Sequence, residues 1–256
     1  MATAPQNPAL PLFYKDLVPL NSQQHASWKT RSTDKATWLI GVNSVPLTVE
    51  EFPQAQRHYP IIFTSGENPV PLILMGMNEG VNVFVDDEGI VGQPVYIPAY
   101  ARRYPFMLAR LRPDSEELSL CIDPSSDLVG ELEEGEALFN EGEPTDATKN
   151  MLKFCENFEI AGTKTANFMA ELAKHNLLME GELNIDIGTG QPFTYRGFQM
   201  VDETKLREMR GDVLRQWNQN GMLPLIYAHL FSLDLVRDIF GRQVSQGKGP
   251  QIPVNA

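Results

Sequence analysis

PIIFTSGENPVPLILMGMNEGVNVFVDDEG, residues 60–89, decides the fold class. Its apolar runs, Pro60–Thr64, Val70–Met75 and Val81–Val85, are short and each is bounded by Gly, Pro, Asn or Asp, the pattern of strands separated by turns. Asn78-Glu79-Gly80 and Asp86-Asp87-Glu88-Gly89 supply the turn chemistry, Gly through positive φ and Asn or Asp by bonding the local backbone. Strands that follow one another here are therefore expected to pair antiparallel. Working outward, Trp38–Val42 reads as a strand before this stretch, and Phe106–Leu111 and Glu117–Ile122 as two strands after it. Thr48 and Glu51 have capping-box spacing and open a short helix over Val49–His58, provided Pro53 falls in its first turn. Tyr96–Pro105, with two prolines and adjacent arginines, suits a one-turn helix or an ordered loop.

At Thr145 the period changes. Met151, Leu152, Phe154, Cys155, Phe158, Phe168, Met169, Leu172 and Leu177 recur at helical spacing, as one long helix or two pieces divided at Gly162. Leu183–Ile187, Phe193–Tyr195 and Phe198–Val201 read as short strands, with Gly188-Thr189-Gly190 as a turn between them. Asp202 is a good N-cap for a third helix burying Leu206, Met209, Val213 and Trp217 before Gly221. Leu223–Phe240 is a strand and a helix, or helix throughout. The expected fold is α+β: a mainly antiparallel sheet from the N-terminal half, residues 38–122, with helices of the C-terminal half, residues 145–240, packed on it. The expected organisation is a single domain over 1–240 with an irregular arm at 1–36, and a flexible tail at 241–256.

Composition bounds the function. With 256 residues, 42% of them hydrophobic, the chain can build a core without metal or disulfide staples. Two cysteines make neither a disulfide framework nor a zinc cluster. The longest apolar runs fall well short of the roughly 20 residues that span a bilayer, so no membrane insertion is expected. The first basic residue is Lys15, and Pro5, Pro8 and Pro11 interrupt any leader-like core, which makes the cytoplasm the expected address. Net charge is −12, which argues against nucleic acid as a partner. Residues 113–148 hold twelve acids and no Lys or Arg, leaving 21 against 21 elsewhere. That stretch reads as a solvated acidic loop or as a docking face for a basic partner.

The familiar catalytic signatures fail one at a time. His25, His58, His175 and His229 lack the spacing of a metal site, so no metal is expected. Gly188-Thr189-Gly190 lacks the third glycine of a dinucleotide loop, and Gly162-Thr163-Lys164-Thr165 lacks the glycine spacing of a phosphate loop. No cofactor is expected. His229, inside an apolar run, reads as a hydrogen-bonded core histidine or as a base. The most unusual local chemistry is Arg102 and Arg103 between Tyr100 and Tyr104, where guanidinium groups can fork a carboxylate or phosphate and the phenols supply stacking area. The alternative is that these arginines bond the chain's own carbonyls or glutamates.

Across roughly residues 12–240 the sequence resembles the bacterial SapC family. The residues carrying the resemblance are His25; Val45-Pro46-Leu47 with Glu51-Phe52; Tyr59-Pro60-Ile61-Ile62-Phe63; and Val83-Phe84-Val85-Asp86. The most specific run is Tyr96-Ile97-Pro98-Ala99-Tyr100-Ala101-Arg102-Arg103-Tyr104-Pro105-Phe106. Cys121-Ile122-Asp123, Ala137-Leu138-Phe139, Val201-Asp202-Glu203 with Lys205-Leu206, and Ala228-His229-Leu230 with Ser232-Leu233 complete it. The family takes its name from a surface-layer locus and is distinct from a peptide-transporter permease of the same name, which needs several membrane spans. The resemblance implies neighbours such as TonB-dependent receptors and flavin-dependent halogenase-like proteins, and carries no catalytic motif. The expectation is a soluble, non-catalytic accessory protein acting with a protein partner through Tyr100, Arg102, Arg103 and Tyr104, in outer-membrane nutrient uptake or surface-layer function. The alternative is an enzyme or enzyme subunit beside a flavin-dependent halogenase-like protein, with His229 or His25 as base. A structural surface-layer component exported without a leader is a third reading. Oligomeric state stays open.

Overall fold

Short apolar runs bounded by turn residues become strands here, but they sort into separate sheets. The computed structural model describes residues 10–92, 95–111, 117–185 and 193–249; Gly188-Thr189-Gly190, read as a turn, lies outside them. In chain order the elements open with β1 (Val18–Pro19), β2 (Lys29–Thr30), β3 (Ser44–Pro46), α1 (Phe52–Ala55), β4 (Ile61–Thr64), β5 (Pro71–Leu74) and α2 (Ala99–Arg102). They continue with β6 (Phe106–Arg110), β7 (Leu118–Ile122), β8 (Val129–Gly130), β9 (Glu136–Ala137), β10 (Phe139–Asn140) and β11 (Glu143–Pro144). The rest is α3 (Asp146–Lys174), β12 (Leu178–Ile185), β13 (Phe193–Val201), α4 (Glu203–Arg207), α5 (Gly211–Gln219), α6 (Met222–Ser232) and α7 (Val236–Ser245). The fold is α+β with antiparallel strand pairing throughout the described residues. The chain forms two compact units, one of residues up to Asp34 with Arg103–Glu159, the other of Lys35–Arg102 with the residues from Ile160 onward.

In the first unit β6 and β7, the two strands expected there, pair antiparallel, and β1 from the arm adds to the other edge of β7. A second small sheet runs β8-β2-β9, and β10 pairs with β11. Phe106, Leu108, Ile122, Val129, Leu138, Phe139 and Cys155 form the core, with Trp28 and Met151 packed against it. The described part of the acidic stretch thus carries short strands, β7 to β11, joined by turns and leading into α3, anchored where Ile122, Val129, Leu138 and Phe139 join this core. Its charge is met in part by the arm, where Arg31 Nη2 reaches Asp127 at 2.8 Å and Lys29 Nζ donates to the Glu133 carbonyl.

The second unit is built on a five-stranded sheet, order β12-β13-β4-β5-β3. Its centre is the predicted β4–β5 pair, with Ile61 opposite Ile73, and its other half comes from the C-terminal region as one long β12–β13 hairpin. The register of that hairpin shifts between Glu180 and Glu182, at Gly181, where a Cβ would collide with the ring of Phe198. Trp38–Val42 and Val81–Val85 are not strands. The first is a 3₁₀ turn over Thr37–Leu39. In the second, Asn82 Oδ1 accepts from the N–H groups of Phe84 and Val85, a local bond that competes with a ladder.

The helices follow the apolar period. α3 runs through Gly162 without a break, and Asp202 caps α4 by accepting from Lys205 N at 3.1 Å. The third predicted helix is two, α4 and α5, and Leu223–Phe240 is helical throughout, by way of a 3₁₀ turn at Leu233–Leu235. α6 packs on β4 and β13, and α7 continues to Ser245.

Candidate functional site

Thr48 and Glu51 close the predicted capping box at the 3₁₀ turn that precedes α1, with Pro53 in the first turn of that helix. Glu51 does more than cap. Its Oε2 accepts from Thr48 N at 3.0 Å and Thr48 Oγ1 at 2.8 Å, while Oε1 accepts from Tyr96 Oη at 2.8 Å and Ala99 N at 2.6 Å. Four donors on one buried carboxylate fix the segment leading into α2. Arg102 is exposed at the end of α2, where its Nε donates to the Ile97 carbonyl at 3.0 Å and its Nη2 to Tyr96 Oη at 3.2 Å. Its guanidinium also lies over the Tyr96 ring at 5.6 Å. Burial and then the Glu51 carboxylate push the Tyr96 phenol up to about 12, against the pull of Arg102. Tyr96 is therefore a neutral donor to Glu51.

Of the four expected contact residues, Arg102 is exposed, Tyr104 is half-buried, and Tyr100 and Arg103 are buried. Tyr100 is buried in the second unit. Arg103, in the first unit, is only 4% exposed; its guanidinium lies over Phe158 at 4.3 Å and its Nη1 is 3.6 Å from Glu159 Oε1. Tyr104 is half-buried and meets Tyr14 and Phe13 edge-on at 5.3 and 6.1 Å. Burial pushes the Glu159 carboxyl up while Arg103 opposes it, and burial pushes the Cys155 thiol up to about 12.

The two histidines considered as bases are both backbone fasteners. His229 is fully buried; its Nε2 accepts from Val201 N at 3.1 Å, so its Nδ1 carries the proton donated to the Ile61 carbonyl at 2.8 Å. It stacks on Phe63 with ring centroids 4.4 Å apart. Burial lowers its pKa to about 4. His25 is buried in the first unit, its Nδ1 accepting from Asn21 N at 3.0 Å and its ring edge-on to Trp28 at 4.5 Å. Neither ring keeps a lone pair free for proton abstraction at the bonded nitrogens. Among the described residues no group of three or more His, Cys, Asp or Glu gathers as a metal site, and no helix is long and apolar enough to cross a membrane.

Two surface features of the second unit escaped the sequence reading. The first is a groove of about 590 Å³ along one face of α3, where Lys164, Phe168, Glu171 and Lys174 follow helical spacing, with Met222 and Leu225 in its lining. Its charges cancel in pairs, Lys164 with Glu50 and Lys174 with Glu171. Lys174, then Trp217 and His175, hold the Glu171 carboxyl below its usual range. The second is the outer face of α6. Met222–Ser232 reads MLPLIYAHLFS, apolar on every side, and the inner side is taken up by Ile226, Ala228 and His229. Tyr227 and Phe231 point outward, stacked with centroids 5.6 Å apart, and Phe231 is 69% exposed. A helix with apolar residues all round signals this in sequence, but only the sheet contacts tell which side stays bare.

A protein-family model described as SapC matches residues 20–239. No curated protein matches the chain, and no solved structure matches it.

Proposed function

The chain belongs to the SapC family, and from that premise we propose that it is a non-catalytic accessory protein that works by holding a protein partner in the cytoplasm, in outer-membrane nutrient uptake or surface-layer function. The stacked pair Tyr227 and Phe231 carries this reading. An aromatic side chain left 69% exposed on an apolar helix costs solvation in the free protein, and such residues are typical anchors of protein interfaces. Arg102, exposed and braced on Tyr96, is the second contact, suited to a carboxylate of the partner.

The partner to test first is the flavin-dependent halogenase-like protein that the family resemblance suggests. Isothermal titration calorimetry of the two purified proteins should give saturable binding that Phe231→Glu weakens by about 30-fold or more, in line with hot-spot losses of at least 2 kcal/mol. Arg102→Ala should weaken it less. A wild-type chain that does not bind this protein would overturn the partner assignment. Unchanged affinity in Phe231→Glu would remove α6 from the interface.

A further inference from the structure

We propose that the groove along α3 holds an extended internal segment of a protein partner, carrying apolar side chains and no charge. The occupant rests on the partner reading above, but the surface is a different one from the aromatic pair on α6. The groove holds about 590 Å³, within the range of roughly 300–1,000 Å³ that ligand sites span. Its lining comes from the turn into α1, from α3 and from the corner between α5 and α6. Both neighbours are fastened to α3. Val49 N donates to Thr165 Oγ1 at 3.0 Å, and Trp217 Nε1 of α5 donates to Glu171 Oε1 at 3.3 Å. The concavity is thus preformed, and an occupant does not bear the cost of ordering it.

The chemistry of the lining selects the class of occupant. Val49, Phe168 and Met222 give it an apolar surface suited to aliphatic side chains. Its charged groups are already matched, Lys164 with Glu50 and Lys174 with Glu171, so the lining has no net charge to offer an ionic ligand. What it offers instead is carboxamides. Asn167 and Gln216 line it without a hydrogen bond to any other described residue, and Asn220 spends its Oδ1 on Met222 N at 3.1 Å while its amino group stays available. A carboxamide presents an acceptor and two donors, the complement of a peptide group with one of each. Length fits as well. From Lys164 to Lys174 the helix rises about 15 Å, the span of about four or five extended residues. A free peptide of that length brings an ammonium and a carboxylate to a groove with no spare charge for them, whereas an internal segment brings neither.

Calorimetric titration of the full chain with an acetylated and amidated pentapeptide, leucine at its second and fourth positions and serine elsewhere, tests this. Alternate residues of an extended chain face one side, so both leucines can meet the apolar lining. The blocked peptide should bind. The same peptide with free termini, or with serine in place of both leucines, should bind at least about 10-fold more weakly. Asn167→Ala and Gln216→Ala, both at exposed helical positions, should fold normally and each weaken the blocked peptide about 2- to 10-fold, the worth of one neutral hydrogen bond. Phe231→Glu should leave the peptide affinity unchanged, so the groove and the α6 face are read separately, and a failed titration with the purified partner protein would leave the groove standing. A wild type that does not bind the blocked peptide, equal affinity for either control peptide, affinity unmoved by both carboxamide variants, or affinity lost in Phe231→Glu would each overturn the assignment.

Discussion

The imidazole of His229 joins the Ile61 carbonyl on β4 to the Val201 amide at the end of β13, from a position on α6 with no solvent contact. Ser232, one turn on, repeats the device, accepting from Ile61 N at 2.8 Å and donating to the His229 carbonyl at 2.6 Å. A helix otherwise held by apolar contact gains a fixed register on the sheet through these bonds.

This arrangement makes stability depend on acid. Burial holds the His229 pKa at about 4, below its ordinary 6.5, so between those values the unfolded chain binds the proton and the folded chain does not. The contribution is fully present above pH 6.5 and is lost as pH falls toward 4, by up to about 3 kcal/mol at roughly 1.4 kcal/mol per pH unit. Thermal unfolding midpoints measured from pH 7 to pH 4.5 should therefore fall. In His229→Asn the midpoint should be lower at pH 7 and the slope across this window flatter; an equal slope would show that another group governs it.

The same comparison shows what the sequence could and could not disclose. The β4–β5 pair, the capping box at Thr48 and Glu51 and the long period of α3 were legible because each is set by neighbours within a few residues. Val81–Val85 misled because the Asn82 side chain bonds its own backbone, and a strand pattern does not weigh that competitor. The candidate sites were mostly illegible. Adjacent arginines look like one charge cluster, yet one is exposed and the other buried.

Glu51 offers a sharper test of local order. Replacing it by Gln keeps the shape but turns one acceptor into a donor, which then faces N–H or O–H groups that have lost their partner. Glu51→Gln should cost about 1–3 kcal/mol in urea unfolding. It should also speed hydrogen exchange at the Ala99 amide by more than at the β4 amides. Uniform acceleration everywhere would mean that the carboxylate stabilises the unit without ordering the segment before α2.

Gly181 should tolerate no side chain. Gly181→Ala sets a Cβ against the Phe198 ring, itself only 1% exposed and stacked on Tyr195, and should lose about 1–3 kcal/mol by overpacking. Gly211→Ala is the control. Nothing lies within 4 Å of its added methyl, and the residue begins α5, so a gain of up to about 1 kcal/mol is expected from the stiffer unfolded chain. A Gly181→Ala chain as stable as the wild type would show that the shift in register between Glu180 and Glu182 relaxes around the new methyl group.

Arg102 and Arg103 should separate cleanly under mutation. Arg102→Ala removes an exposed side chain whose bonds to Ile97 and Tyr96 are surface contacts, and the cost in urea unfolding should stay within about 1 kcal/mol. Arg103→Ala empties a buried position, strips a cation from the Phe158 ring and leaves Glu159 without its charge partner, so a loss of about 2–4 kcal/mol is expected. Glu159→Gln discriminates between the two parts of that loss. The Glu159 side chain is 43% exposed and 3.6 Å from the guanidinium, so water screens the pair and its removal should cost no more than about 1 kcal/mol. If Glu159→Gln instead matched Arg103→Ala, the ion pair rather than the stacking on Phe158 would hold the arginine in place. A double variant of both arginines tested for partner binding would then report unfolding, whereas Arg102→Ala alone reports the contact.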